Sequence, residues 1–344
     1  MKKINQPRPG AKALRKHLVN LVPAGEKIGR LVPALLTWFE ANARDLPWRR
    51  TRDPYAIWVS EIMLQQTQVK TVIPYWERWM QALPTIAAAA AAPSDQIHKL
   101  WEGLGYYTRV RNLQKAAQVI VAQHNGKFPE DFEAVLELPG IGRYTAAAIA
   151  SIAFNEPVAV VDGNVERVLQ RLVGRRLAGE ELWVGANSFL DKLRPGDFNQ
   201  AMMELGAEVC TPRRPACLMC PVVALCATRG ELPVDTKAAK QKKREIHYAL
   251  HCRNGDVLLV QRARDASLMP GMWELPELAV SKGGNPLFTV RHSITTTDYT
   301  VRVWANAGSS GVAGKWISLG RIDRVALTGL TRKILRKAET LVRG

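Results

Sequence analysis

Residues 136–165 read LELPGIGRYTAAAIASIAFNEPVAVVDGNV. Leu138-Pro139-Gly140-Ile141-Gly142 predicts a tight hairpin between a short helical run ending near Leu138 and an apolar helix from Tyr144 to Phe154. Two glycines separated by one residue let the backbone turn sharply and expose its N–H groups. The next helix begins at that turn, so its unpaired donors and positive dipole end point outward together. That is a site for a phosphate oxygen of a nucleic-acid backbone, and Arg143 adds a cation there. Such a turn is also an ordinary helix–turn–helix connection, and spacing alone does not separate the two. Downstream, Val158-Ala159-Val160-Val161 leads to Asp162, which stands before Gly163-Asn164-Val165 as a natural helix N-cap.

Composition sets the frame. A chain of 344 residues that is 47% hydrophobic can bury two or three cores, so two or three domains are expected. A net charge of +17 implies a polyanionic partner, with nucleic acid the default. No apolar run approaches the roughly 18 residues of a membrane span. The N-terminus shows no signal-peptide core, and its first serine is Ser60, which speaks against a Ser-rich transit peptide. Residues 1–30 form a basic arm whose only acid is Glu26. It is expected to be mobile, a solvated tail or a loose phosphate contact.

A packed helix is expected from Leu31, Leu35, Trp38 and Phe39, ending at Leu46-Pro47-Trp48-Arg49. The next runs from Asp53, a cap, through Pro54 to Leu64. Glu61 lies four residues after Ile57 and three before Leu64, on the face of those apolar side chains. A carboxyl there should have a raised pKa, as a general acid near neutral pH requires; a half-exposed edge position is the simpler alternative. Gln65-Gln66-Thr67-Gln68-Val69 follows, uncharged amides at a helix end that suit either a base stack or plain surface. Phe198 to Gly206 is a further helix leading into Cys210, Cys217, Cys220 and Cys226, spaced C-x6-C-x2-C-x5-C. Clustered cysteines suggest a metal site in a reducing compartment, and four thiolates can hold zinc or a [4Fe–4S] cluster. Arg213 and Arg214 inside this loop suit a phosphate contact. A linker is expected over residues 228–243. Beyond it, segments 247–252, 257–260 and 300–304 read as strands, and Cys252 as a buried thiol.

LPGIGRYTAAAIAS followed by VDGNV resembles the helix-hairpin-helix glycosylases of the endonuclease III superfamily. WVSEIMLQQTQV and WEGLGYY narrow the resemblance to the adenine DNA glycosylases of the MutY type. It covers residues 31–340 and implies an all-α helix-hairpin-helix domain over 31–227 with an iron–sulfur loop at 210–226. An α+β, Nudix-like domain over 244–344 would follow. It implies Glu61 as the acid that protonates adenine, Asp162 as the second catalytic carboxylate, and Tyr144 orienting the pair. Arg49 and Gln200 would face the adenine. DNA would be met by Gln65, Gln66, Thr67, Leu104, Tyr106 (an intercalating wedge), Gly140, Gly142 and Arg143. The four cysteines would hold one [4Fe–4S] cluster. The C-terminal domain would read 8-oxoguanine on the opposite strand. His292-Ser293-Ile294-Thr295-Thr296 occupies the lesion-reading loop, where Ile294 and Thr295 fill the apolar and hydroxyl roles and Thr296 stands where His is usual. No Nudix catalytic helix with clustered glutamates is present, so this domain should bind rather than hydrolyse. The expected partner is duplex DNA with adenine opposite 8-oxoguanine. The expected state is a monomer in the cytoplasm of a bacterial cell, associated with the nucleoid.

Two alternatives remain. A glycosylase/lyase on oxidised pyrimidines needs an amine for a Schiff base. That superfamily places a Lys two residues after the second hairpin glycine, where this chain has Tyr144, and no Lys occurs between Lys127 and Lys192. A non-catalytic damage sensor would have no use for Glu61 and Asp162.

Overall fold

The computed structural model describes residues 25–229, 242–263, 265–266, 269–278, 285–294, 297–306 and 313–343. Most of the basic arm, the core of the linker, and Thr295 and Thr296 lie outside them, as does the side chain of Ile294. The chain forms two compact units: residues 1–69, 85–87 and 115–235, and residues 70–84, 88–114 and 236–344. Packing therefore does not divide the chain at the linker alone, because residues 70–84 and 88–114 cluster with the C-terminal strands.

The first unit is helical. Helix α1 spans Gly25–Asn42, so helix begins before the expected Leu31. Helix α2 spans Pro54–Leu64; Asp53 caps it by accepting from Tyr55 N at 3.0 Å, and Pro54 occupies its first turn. Every residue from Tyr55 to Met63 is buried, so α2 is an interior helix rather than an amphipathic one. Four more elements matter to the site: α7 (Phe132–Leu136), α8 (Arg143–Phe154), α9 (Gly163–Val173) and α11 (Pro195–Glu204), with α10 (Glu180–Phe189) between the last two. Helix α8 packs on both α2 and α11. Its run Thr145 to Ile152 is buried and half alanine, which lets backbones come close. The approach is tightest at Gly196, where a Cβ would stand 2.6 Å from the Ser151 carbonyl oxygen. Asn199 is 2% exposed and fully bonded. It donates to Ser151 Oγ and the Val158 carbonyl and accepts from Val160 N, pinning the extended segment that leads to Asp162.

The second unit contains α3 (Val69–Ala82) beyond its first residue, α4 (Ile86–Ala91) beyond its second, α5 (Ser94–Trp101), the first turns of α6 (Thr108–Gln123), and the strands. Trp79 and Trp101 pack edge to face with centroids 5.8 Å apart, both fully buried. One sheet has the order β5-β1-β7-β6: β1 (Lys242–Leu250) runs parallel to β7 (Thr297–Ala305), with β5 (Glu277–Leu278) and β6 (Phe288–Ile294) antiparallel outside. A second sheet joins β2 (Cys252–Arg253), β3 (Asp256–Gln261), β4 (Trp273–Glu274) and β8 (Lys315–Ser318). Tyr248, Val301 and Val303 of the first sheet and Val257 and Leu259 of the second form one core with Leu330 and Ile334 of helix α12 (Gly329–Arg343). The expected segments 257–260 and 300–304 lie within β3 and β7, whereas 247–252 breaks at His251 between β1 and β2. Cys252 is corrected: it is exposed, because β2 is a two-residue strand beside the Asn254-Gly255 turn, whose φ values of 48° and 78° make a tight hairpin at the surface. Among the described residues no helix is long and apolar enough to cross a membrane.

Candidate active site

The first unit holds a cavity of about 630 Å³ lined by residues of α2, α8, α11 and the Asp162 turn, within the range of small-molecule sites. Glu61, Tyr144, Asp162, Arg49, Gln200, Gln65, Gln66 and Thr67 all line it, although they come from five stretches of sequence. Gln66 turns the chain at φ 56°, and Gln65 Nε2 donates to Thr145 Oγ1 at 3.4 Å.

Glu61 is 6% exposed on interior helix α2. Burial pushes its carboxyl up to about 7. The hydrogen bond from Tyr144 and the Arg49 charge pull against this, while Asp162 adds to it. Tyr144 Oη donates to Glu61 Oε2 at 2.7 Å and also contacts Met203 Sδ at 3.3 Å. Burial and the two nearby acids push the phenol well above its ordinary value, so Tyr144 remains a donor.

Asp162 caps α9 as its sequence suggests. Oδ1 accepts from Asn164 N at 3.0 Å and Val165 N at 2.7 Å, and Oδ2 accepts from Asn164 Nδ2 at 3.0 Å. Three N–H donors at the N-terminus of α9 thus converge on this one side chain. The cap and the cavity-lining acid are therefore one residue, and the two sequence readings do not compete.

Arg49 is held from below. Nη2 donates to Glu204 Oε2 at 2.9 Å and Nη1 to the Arg44 carbonyl at 3.1 Å. Glu204 is 1% exposed and also takes Arg44 in a paired contact, Nε to Oε1 and Nη2 to Oε2, each 2.7 Å. Burial by itself pushes the Glu204 carboxyl up; the two arginines outweigh it and hold it at about 2. Glu204, Arg44 and Asn164 were not singled out from the sequence. An acid inside Ala201-Met202-Met203-Glu204-Leu205 was the available signal for the first.

The hairpin has the expected shape. Gly140 sits at φ 77°, Ile141 N bonds the Leu138 carbonyl at 3.1 Å, and Gly142 caps α8 with open space where a Cβ would be. Arg143 does not stand free there: it pairs with Glu180 at 2.7 and 3.0 Å and lies 4.1 Å over the Trp183 ring.

Cys210, Cys217, Cys220 and Cys226 line one small cavity with Arg171 and Arg229. Arg171, 3% exposed, donates to Cys210 Sγ at 3.2 Å and to the carbonyls of Cys210, Thr211 and Pro212. Burial raises the Cys217 thiol, and pushes Cys220 up to about 11. Among the described residues no group of three His, Cys, Asp or Glu side chains is arranged to hold a single metal ion. Four cysteine sulfurs lining one cavity are a donor set that either a zinc ion or a [4Fe–4S] cluster can take. Arg213 and Arg214 are exposed on this loop. Arg167 connects the loop to the acid: Nη2 donates to Asn164 Oδ1 at 2.9 Å and the Gly206 carbonyl at 2.7 Å, and Nε to the Cys210 carbonyl at 2.8 Å.

In the second unit Tyr107 is 4% exposed and Tyr106 42% exposed, so the first tyrosine is presented and the second packs. Leu104, expected to meet DNA, is buried at 6%; the loop offers the Tyr106 ring instead. Ile294 ends β6 opposite Thr297 of β7.

The HhH-GPD superfamily of base excision DNA repair proteins matches residues 59–178. The human adenine DNA glycosylase is 51% identical over 211 residues, covering 57% of this chain and 39% of that protein. The rat adenine DNA glycosylase is 39% identical over 313 residues, 73% of this chain and 60% of that protein. The chain thus spans between 39% and 60% of the length of these curated relatives. A thermostable thymine-DNA glycosylase of known structure superposes with a TM-score of 0.57 at 32% identity, over 60% of this chain and 97% of that one. The matched segment contains Glu61, the hairpin, Tyr144 and Asp162, and with 97% of a 32%-identical relative covered the chain belongs to the HhH-GPD superfamily of base excision DNA repair proteins.

Proposed function

We propose that this protein is a monofunctional adenine DNA glycosylase that removes adenine paired with 8-oxoguanine, or with guanine, from duplex DNA. The bond hydrolysed joins adenine N9 to the deoxyribose. The observation that carries the reading is Glu61, a buried carboxyl poised at about 7, in one cavity with Asp162. A stacked base is out of reach of both, so adenine must be flipped into the cavity. Positive charge then develops on the sugar, as in glycoside cleavage, and one acid with one carboxylate suits that chemistry.

The geometry divides the roles. Tyr144 donates to Glu61 Oε2, so the acidic proton of Glu61 belongs on Oε1, from which it passes to the base and makes it a neutral leaving group. Asp162, held in place by its three donors, opposes the charge on the sugar. Arg49, anchored by Glu204, and Gln200 line the adenine side. No lysine is among the described residues lining the cavity, and Tyr144 occupies the position a Schiff-base lysine would need. This favours hydrolysis over lyase chemistry, and a carboxyl tuned to about 7 favours an enzyme over a passive sensor.

Cys210, Cys217, Cys220 and Cys226 would hold one [4Fe–4S] cluster, which would tie the four positions of the loop to one rigid point when bound. The Nudix-like C-terminal region would read 8-oxoguanine on the other strand through Ile294, the last residue of β6, and Thr295. Thr295→Val should then weaken the preference for 8-oxoguanine without slowing cleavage of fully bound substrate. Support for these finer assignments is the sequence resemblance. The protein would act as a monomer on duplex DNA in the cytoplasm.

The test is single-turnover excision on three duplexes: adenine opposite 8-oxoguanine, adenine opposite guanine, and an oxidised pyrimidine opposite guanine, each with borohydride trapping. Adenine release from the first two with no trapped adduct is expected. Release of the pyrimidine with a trapped adduct, or binding without any release, would overturn the proposal.

A further inference from the structure

The segment Glu102–Tyr107 is held in a conformation it would not adopt alone. Gly103, Gly105 and Tyr106 have φ of 103°, 68° and 49°, and for a bulky residue such as Tyr106 that region is populated only when the surroundings enforce it. A Cβ on Gly103 would stand 2.2 Å from Tyr75 Oη, and that hydroxyl donates to the Glu102 carbonyl at 2.7 Å. Trp101 Nε1 donates to the Gly105 carbonyl at 3.0 Å. Arg109 donates to the carbonyls of Leu104 and Gly105 at 3.1 and 3.2 Å and lies 5.4 Å from the Tyr106 ring.

The frame is closed from far along the chain. Arg332, on α12, donates to Glu102 Oε1 from both Nε, at 2.8 Å, and Nη2. Lys99 takes Oε2 at 2.9 Å. The Glu102 side chain is 7% exposed, so its charge depends on these two cations for compensation. Without Arg332 the carboxylate gains more by turning to water, which pulls the Glu102 carbonyl from Tyr75 and frees Gly103 to relax.

We infer that Arg332 is a positioning residue for Tyr106: through Glu102, the C-terminal helix holds this loop so that the Tyr106 ring is presented to a base step of duplex DNA. What the ring enters rests on the proposed function; that the loop is clamped does not. The C-terminal region then contributes twice, by reading the opposite base and by setting the wedge.

The experiment uses the full chain with Arg332→Met, Arg332→Lys and Glu102→Gln, each also in a Tyr106→Ala background. Amide hydrogen exchange across residues 102–109 of the free protein reads the clamp directly. Exchange should quicken by about tenfold or more in Arg332→Met and Glu102→Gln, with the β1 and β7 amides unchanged, and much less in Arg332→Lys. On a lesion duplex with 2-aminopurine beside 8-oxoguanine, the fluorescence rise on binding should be lost in Arg332→Met. Affinity should fall roughly tenfold while cleavage of saturated substrate keeps its rate. In the Tyr106→Ala background Arg332→Met should change neither signal further. Unchanged exchange in the loop, or losses that add fully to those of Tyr106→Ala, would overturn the inference. If wild type releases no adenine, the functional proposal fails, and loop exchange still decides for or against the clamp.

Discussion

Replacing Glu61 with Gln should raise stability and remove activity together, with opposite signs that share one cause. An ordinary glutamate titrates at 4.5, and burial holds Glu61 at about 7 in the folded protein. That difference corresponds to a penalty of about 3 kcal/mol on the ionised form. Because the folded-state value is raised, the folded protein binds more protons than the unfolded chain between 4.5 and about 7. The contribution of Glu61 to stability is therefore fully present below 4.5, declines through that window, and is lost above about 7. The amide of the Glu61→Gln variant keeps the shape, still accepts from Tyr144, and never ionises. The stability of Glu61→Gln relative to wild type should thus grow by about 3 kcal/mol from low pH to above neutrality, a urea midpoint difference of roughly 1–2 M. Over the same range wild-type single-turnover excision should be half-maximal near 7 and fall about tenfold per pH unit beyond it, while the variant loses about 10²–10⁴-fold. Urea titrations and excision rates at pH 5, 6, 7, 8 and 9 give both curves. A stability difference that ignores pH, or a variant keeping more than about a tenth of the wild-type rate, would refute the assignment of Glu61 as a buried acid.

Asp162→Asn should bind the lesion duplex normally while adenine release is abolished, because shape and capping survive and the charge opposing the sugar cation does not; gel-shift and single-turnover assays read the two separately. Gly206→Ala should fold yet slow excision by roughly tenfold or more, since its Cβ would stand 2.6 Å from Asn164 Cβ and displace the amide that holds Asp162; an unchanged rate would show that Asn164 is not needed there. Purified protein should be brown, with about four iron and four sulfide per chain, whereas one equivalent of zinc without visible absorbance would mean that the cysteines hold a single ion.

Much of this site is short-range and therefore readable in the chain. The Gly140-Ile141-Gly142 turn, the Asp53 and Asp162 caps, and the spacing from Cys210 to Cys226 involve neighbours within one turn or one loop, where residue type dictates backbone geometry. The alternation around Tyr248, Leu258 and Val303 placed strands for the same reason. What spacing could not decide was which groups meet across the fold. Spacing leaves Glu61 either on the apolar face or at its edge; α2 is buried from Tyr55 to Met63, and that enclosure is the largest cause of the raised pKa, with Asp162 adding to it. Its partner Tyr144 is 83 residues away, Glu204 is 155 from Arg49, and Arg332 is 230 from Glu102. Leu104 and Tyr106 differ little by type, and packing alone buries one and exposes the other; Cys252 is surface because a two-residue strand cannot carry it inward. Sequence determined the local conformations and the supply of acids, cations and thiols. Tertiary packing decided their dielectric surroundings and their pairings, because desolvation and long-range contacts exist only once distant segments have closed around one another.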